Sequence, residues 1–299
     1  MVTSVPPVAF LGAVPTGPAG RCLAARLLAA GEPVRVLAAD PDGWPDGVEL
    51  IEGDVTRPGE FPSAFSGIDG LFLAGAAPGT AAEAIGLAEH GGARRIVVLS
   101  SHGPEFEIHQ PPRTWHWLAI ERAAEASSAI WTHLRPSPLM ASTVVGGYPP
   151  SGSSWAELIR AGEVIREPYG HARYPFLHED DLAAVAVTAL LTDEHARSVV
   201  EVTGTPVSAI ERLSLIGAAL GREIPFEELT PGQARRYWRT RGWSDSAIDV
   251  SLWAMKIFHD NPGGPDPATE RLLGRRARTY QEWLTEHAGD FAGFTPPAR

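Results

Sequence analysis

The residues best suited to chemistry lie near the amino end, where a short apolar run leads into a glycine-rich loop. Val8–Leu11 is the run, and an alanine- and leucine-rich segment follows the loop. A strand, a glycine loop and a helix in this order form a dinucleotide site, because glycines admit the pyrophosphate and the helix amides attract its charge. We therefore predict five cofactor-binding residues here: Gly12, Thr16, Gly17, Gly20 and Arg21.

A carboxylate follows at the distance expected for contact with a ribose. Asp40 lies about 20 residues beyond the glycine loop, at the end of the second apolar run. A hydrogen bond from a ribose hydroxyl to this side chain would favour NAD over NADP. The alternative is a loop aspartate that precedes Pro41. The sequence leaves both roles open, and NAD or NADP is the expected cofactor.

Three side chains after the fifth apolar run are candidates for acid and hydrogen-bonding chemistry. Ser101 and His102 follow that run directly, and His116 lies near the start of the next helical pattern. A hydroxyl can bond a substrate carbonyl, and an imidazole can give up a proton near neutral pH. The alternatives are a serine that satisfies local backbone and histidines at the surface. The spacing of His178 and Asp181 resembles a metal or acid/base pair, but a helix-capping carboxylate explains it better, and no metal site is predicted.

The first half of the chain alternates β-rich runs with helical ones, which is typical of βαβ units in a parallel sheet. The predicted strands are Val8–Leu11, Val34–Ala38, Val48–Glu52, Gly70–Ala74, Arg95–Ser100 and Ile130–Arg135. The helices predicted between them are Pro18–Ala30, Thr80–His90 and Thr114–Ala126. We expect an α/β fold with a doubly wound parallel sheet, whose strand ends bring the candidate residues to one edge.

The second half is interpreted as a smaller, mostly helical region that covers a substrate. Residues 1–140 are expected to form the dinucleotide-binding domain and residues 141–299 the cover, with a strand near 199–202 returning to the main sheet. The two regions would interleave. The helices predicted in the second half are Asp180–Leu191, Val207–Leu220, Pro231–Arg241, Ser244–Lys256 and Tyr280–His287.

Composition narrows the class of protein. The formal net charge is -11 without any basic run, which argues against a nucleic-acid partner. Cys22 is the single cysteine, so no intramolecular disulfide framework exists, and a reducing cytoplasm is expected. No apolar segment approaches the length that crosses a bilayer, and we expect no membrane association.

Several segments, in order, resemble the NmrA-like family of atypical short-chain dehydrogenases/reductases. These segments are Thr16–Arg21, Gly53–Val55, Ile96–Ser101, Glu121–Ala124, Trp131–Met140, Tyr174–Ala183 and Arg271–Trp283. The resemblance implies a Rossmann-like fold that holds a nicotinamide dinucleotide, with Asp54 and Val55 on the adenine side. It implies either reduction of a small molecule or sensing of the cofactor. The nicotinamide is expected near Ala76–Pro78 and Ser100–His102.

The chain departs from that family in three places. Val14 and Pro15 look like an insertion in the cofactor loop, and the arginine that clamps the 2′-phosphate of NADP in many relatives is absent after the second strand. Between Ser101 and Arg135 there is neither the tyrosine nor the lysine of familiar reductases. We therefore expect hydride transfer to a carbonyl, enone or quinone without that pair.

Two alternative functions stay open from the sequence. One is a non-redox enzyme, an isomerase, cyclase or dehydratase, on a reductase scaffold. The other is a non-enzymatic NAD(P)-sensing protein. A small-molecule substrate is the expected ligand, and a homodimer is a candidate assembly.

Overall fold

The computed structural model describes residues 8–11, 17–109, 111–145, 154–261 and 266–292. The chain forms two compact units, one drawn from Met1–Ser137 and Glu179–Val202 and the other from Pro138–His178 and Thr203–Arg299. In chain order the strands are β1 Val8–Leu11, β2 Val34–Ala38, β3 Glu49–Glu52, β4 Gly70–Leu73, β5 Arg95–Leu99, β6 Ile130–Pro136, β7 Ile165–Glu167, β8 Arg173–Phe176, β9 Ser198–Val202, β10 Thr205–Ser208 and β11 Phe226–Glu228.

The helices also alternate with strands through the first unit. In chain order they are α1 Gly17–Ala29, α2 Ala81–Gly91, α3 Trp117–Glu125, α4 Ser142–Val145, α5 Trp155–Arg160, α6 Glu179–Leu191, α7 Ala209–Leu220, α8 Pro231–Thr240, α9 Asp245–Asp260, α10 Pro267–Leu273 and α11 Tyr280–His287. Across the described ranges, no helix combines the length and the apolar character needed to cross a membrane.

The first unit is built on a seven-stranded sheet in the order β3-β2-β1-β4-β5-β6-β9. Every neighbouring pair in this sheet is parallel. The order reverses at β1, which is the arrangement of a doubly wound fold. The predicted fold class is therefore confirmed. The last strand, β9, pairs with β6 in the register Arg135↔Glu201.

Side chains that alternate along the strands pack against helices. Leu71 and Ile96 lie in one core cluster with Ile85 of α2 and Ile120 of α3. Elsewhere in this unit α1 packs against α6, which also contacts β4 and β5. Because both faces of the central strands are covered, β4 and most of β5 are buried, as near-continuous apolar runs predict.

The second unit has two small sheets and seven of the helices named above. Strand β8 pairs antiparallel with β10, and β7 pairs parallel with β11. Its main core contains Trp155, Phe176, Ile216 and Trp283, and a smaller apolar cluster joins α8 to α9.

Three predicted helix boundaries are wrong by two residues or more. The helix expected to end at Lys256 continues to Asp260, and the other two boundaries have a local cause. The helix expected from Thr114 begins at Trp117, because the Glu107 carboxylate accepts the amides of Trp117 and Leu118 at 3.2 and 2.8 Å. The helix expected from Val207 begins at Ala209, since Val207 pairs within β10. There Ser208 is the N-cap of a capping box.

Candidate active site

The amino end of α1 follows β1 as the predicted dinucleotide site requires. Gly12, Thr16 and the expected insertion at Val14 and Pro15 lie outside the described residues. Gly17 is the first residue of α1, and Gly20 is buried within its first turn. A Cβ atom on Gly17 would lie 3.2 Å from Nη1 of Arg21, so glycine leaves room for that guanidinium.

Arg21 crosses from α1 to the loop after β2. Its Nη2 donates to the Asp42 carbonyl at 2.7 Å and to Oδ2 of Asp40 at 3.3 Å. The guanidinium carbon lies 5.7 Å from the ring centroid of Trp44. Gly43 has φ +74°, and a Cβ atom there would lie 3.0 Å from Nε of Arg21. The loop thus closes tightly around the arginine, as only glycine permits at that point.

This loop suits the adenosine end of a dinucleotide. The Nε of Arg21 is buried without a hydrogen-bond partner, while the Asp40 side chain is about half exposed and carries acceptor oxygens. A carboxylate acceptor beside a guanidinium donor can bind ribose hydroxyls or discriminate against a phosphate. The structure therefore brings Arg21 and Asp40 together, two residues that the sequence predicted separately.

Three further predicted residues follow β3 and β4. Oδ1 of Asp54 accepts the amide and hydroxyl of Thr56 at 2.8 and 2.7 Å. The Thr56 hydroxyl, followed by its amide, holds the pKa of the Asp54 carboxyl below its usual range. The side chains of Val55 and Ala76 are buried in the core, which leaves their backbone as the part available for a ligand.

Ser101 and His102 follow β5, and His102 has a partner that the sequence analysis missed. Ser101 is half-buried. Nδ1 of His102 lies 3.1 Å from Oε2 of Glu201 on β9. Oε1 of the same carboxylate lies 3.5 Å from Nη1 of Arg135. Glu201 thus links His102 to the end of β6.

A buried ion pair lies next to this link. Arg135 donates from Nε and Nη2 to Glu121 of α3 at 2.9 and 2.7 Å, and both side chains are buried. Burial has the largest single effect and raises the pKa of the Glu121 carboxyl, but Arg135, Ser100 and His133 together lower it by more, so the net pKa is lowered. An arginine that ends a buried strand, with a glutamate on the apolar face of α3, was the available sequence signal for this pair.

His116 lies apart from the groups described so far. It is the residue before α3, its side chain is exposed, and its ring meets the Trp117 ring edge-on at 4.7 Å. Neighbouring Glu107 caps the helix. In the described part of the chain, no hydrogen bond joins His116 to Ser101 or His102.

The acidic run near residue 180 opens α6. Asp180 and Asp181 lie in the first turn, where carboxylates favour a helix. Asp180 accepts both Nε and Nη2 of Arg26 on α1, at 2.5 and 2.7 Å. Within the described residues, no cluster of three or more His, Cys, Asp or Glu side chains could hold a metal ion.

Comparisons with known proteins agree with this architecture. A family model described as NAD(P)H-binding matches residues 15–156. The chain is 31% identical over 283 residues to the (4-alkanoyl-5-oxo-2,5-dihydrofuran-3-yl)methyl phosphate reductase of Streptomyces griseus, covering 93% of this chain and 97% of that protein. It is 26% identical over 253 residues to the NAD(P)H azoreductase of Xenophilus azovorans, covering 82% of this chain and 84% of that one.

Solved structures share the fold at lower identity. The Citrobacter sp. triphenylmethane reductase complexed with NADP(H) has a TM-score of 0.68 at 16% identity, over 93% of this chain and 99% of that chain. The NADPH-dependent quinone oxidoreductase of Escherichia coli, complexed with NADPH, also has a TM-score of 0.68, at 15% identity over 94% of this chain and 99% of that chain.

Proposed function

Because the chain belongs to the NmrA-like family of atypical short-chain dehydrogenases/reductases and is an NAD(P)-dependent oxidoreductase, we propose that it reduces a small conjugated acceptor, an enone or a quinone. The prediction of an oxidoreductase is thereby confirmed at the level of reaction class. The observation that carries the choice of acceptor is the absence of tyrosine and lysine between Ser101 and Arg135.

The missing pair matters because acceptors differ in the acid they need. A simple ketone develops alkoxide charge and needs a strong proton donor, which a tyrosine beside a lysine supplies. A conjugated acceptor spreads the charge, and hydrogen-bond donors suffice to stabilise it. The relative from Streptomyces griseus supports this choice, since its name describes a reductase of an alkanoyl-substituted oxo-dihydrofuran.

Ser101 and His102 are proposed as the donors to that charge. The Ser101 hydroxyl is half-buried at the end of β5, and His102 next to it is held by Glu201. His116 is the third candidate, as an exposed imidazole at the start of α3. These three roles are parts of the proposal.

The cofactor-binding residues follow from the ends of β2 and β3. When bound, the reduced nicotinamide supplies the hydride. The α1 amides would face the pyrophosphate, Arg21 and Asp40 the adenosine ribose, and Asp54 the adenine side. We propose a preference for NADH, because the charge of Asp40 disfavours a 2′-phosphate and Arg21 already donates to Asp40 and the Asp42 carbonyl.

Nucleotide oxidation tests the proposal directly. NADH and NADPH absorbance should be followed with 2-cyclohexenone, a benzoquinone and cyclohexanone as acceptors. We expect turnover with the first two and little with the saturated ketone. Preference for cyclohexanone would overturn the choice of acceptor.

Single substitutions test which side chains donate hydrogen bonds to the acceptor. Ser101→Ala and His102→Ala should each lower kcat, and His116→Ala tests the third candidate. His90→Ala is the matched control, since His90 is an exposed histidine at the end of α2. Equal rates in the Ser101, His102 and control variants would remove both donors from the proposal.

A further inference from the structure

A buried arginine in the second unit has no direct counter-ion among the residues that the structure describes. Arg212 lies on the face of α7 that also carries Leu213 and Ile216, and its residue exposure is 7%. The capping box at Ser208 fixes the start of this helix. Helical periodicity therefore places a charged side chain where an apolar one is expected.

Two aromatic rings cover the faces of the Arg212 guanidinium. Its central carbon lies 3.9 Å from the Trp155 ring centroid and 4.2 Å from that of Phe176. Such stacking attracts a cation, but it leaves the in-plane N–H groups unbonded. The two rings therefore hold the guanidinium in place, and its N–H groups lie along the edge of the guanidinium plane.

The edge of the guanidinium is poorly satisfied. Nη1 makes one long hydrogen bond, 3.5 Å, to Oγ1 of Thr143, and Nε is buried with no partner. Among the described residues no carboxylate forms an ion pair with Arg212. A buried cation in this state is costly, because the N–H groups have lost water and gained little in return.

The carboxylate of Glu167, on which the charge of Arg212 acts, is hydrogen-bonded to another residue. Glu167 accepts the indole N–H of Trp155 at 2.8 Å. Burial raises the pKa of Glu167, against the opposing charge of Arg212. The Tyr174 hydroxyl is also buried without a hydrogen-bond partner, and the charges of Glu167 and Arg212 both act on it. The cluster thus contains two buried donors without acceptors, Nε of Arg212 and the Tyr174 hydroxyl.

We propose that Arg212 binds the terminal oxyanion of a small molecule, a carboxylate or a phosphate. This goes beyond the proposed function, since the residues that form the anion site all belong to the second unit. A planar donor edge matches an acceptor that offers two oxygens, and a full negative charge compensates the cation. A macromolecular anion is disfavoured, because so little of Arg212 is exposed.

Anion binding to the full chain without nucleotide tests the site apart from turnover. Sodium phosphate and sodium acetate are titrated by calorimetry and by thermal shift at constant ionic strength. Their two affinities distinguish a phosphate site from a carboxylate site. We expect saturable binding of at least one anion, and Arg212→Met should weaken it by at least about tenfold.

Two control variants separate this site from other cations. Arg236→Met removes an exposed arginine of α8, and Arg160→Met removes an exposed arginine at the end of α5. Neither should reproduce the loss seen with Arg212→Met. An equal loss in either control, or no anion binding by the unmodified protein, would overturn the proposal.

Stability without anion distinguishes ligand binding from a purely structural role. A buried charge without a counter-ion can be replaced by an apolar side chain of similar size at little cost, so Arg212→Met should melt at or above the temperature of the unmodified protein. A lower melting temperature, together with unchanged anion binding, would make Arg212 structural. If Arg212→Met does not fold, Arg212→Lys and Thr143→Val take its place, and unweakened anion binding in both would refute the site.

Failure of the proposed function gives a different pattern. If the unmodified protein binds anion through Arg212 but oxidises no nucleotide with any acceptor, the anion site stands and the acceptor proposal falls. If turnover occurs with neutral acceptors while no anion binds, the reductase stands and the Arg212 proposal falls.

Discussion

Replacing Glu121 by glutamine should destabilise the protein by about 3 kcal/mol. The side chains of Glu121 and Arg135 are 2% and 9% exposed, and two hydrogen bonds of 2.7 and 2.9 Å join them. Removing one partner of a buried pair typically costs about 3–5 kcal/mol, because the other charge is left uncompensated. The low end applies, since Glu201 lies 3.5 Å from Arg135 and offsets part of its charge.

This loss corresponds to a fall of about 6–12 °C in the melting temperature, measured by scanning calorimetry. The matched control is Asp69→Asn, which removes the partner of Arg94 in an exposed pair and should cost less than about 1 kcal/mol. The double variant Glu121→Leu with Arg135→Met removes both charges, and it should recover most of the lost stability.

The pH dependence gives a second check with a defined sign. Because the folded-state pKa of Glu121 is lowered, its contribution is present above the ordinary carboxyl pKa and lost as the pH falls through the folded value. The difference in the free energy of unfolding between the unmodified protein and Glu121→Gln should therefore become smaller below about pH 4. Equal losses in Glu121→Gln and Asp69→Asn, or a gap that does not depend on pH, would refute the reasoning.

Three further perturbations test other parts of the first unit. Burial lowers the pKa of His133, so the free energy of unfolding, measured with urea, should fall as the pH drops below about 6.5. His133→Phe should reduce this dependence on pH, and an unchanged dependence would contradict the prediction. Asp40→Asn should raise the affinity for NADPH relative to NADH about fivefold by calorimetry, since it removes a charge beside Arg21, and an unchanged ratio would refute the assignment. Glu201→Gln should lower kcat about tenfold and shift the pH profile of kcat, because it removes the carboxylate that holds the His102 ring. A change in KM alone would show that the contact between Glu201 and His102 has no part in turnover.

The strands of the main sheet could be predicted from the sequence because each strand has its own apolar pattern. The apolar runs of β4 and β5 could be recognised without knowing their neighbours, and the crossover rule then fixes a parallel order. The return of a strand near residue 200 was also predictable, since Val199–Val202 is β-rich after a helical segment. Local pattern and connection rules therefore determine most of the first unit.

Side-chain partners were harder to predict, because they depend on distant parts of the chain. The start of α3 was misplaced since the cap comes from Glu107, ten residues before Trp117 rather than adjacent to it. Glu201 was missed as the partner of His102 because 99 positions separate them. The same holds for Arg212 and Thr143, which lie 69 positions apart. In each case the sequence showed the type of residue, but only the folded structure shows which residue it contacts.

The placement of the buried ion pair supports the proposal that the hydrogen-bond donors lie just after β5. Helix α3 is the element from which familiar reductases present a tyrosine and a lysine. Here the buried face of α3 carries Glu121, which binds Arg135. These two charges neutralise each other, so neither is available to stabilise charge on a substrate. The proposed donors, Ser101 and the His102 imidazole on Glu201, lie outside this pair. An acceptor whose charge needs only hydrogen-bond donors is therefore the one that this arrangement suits.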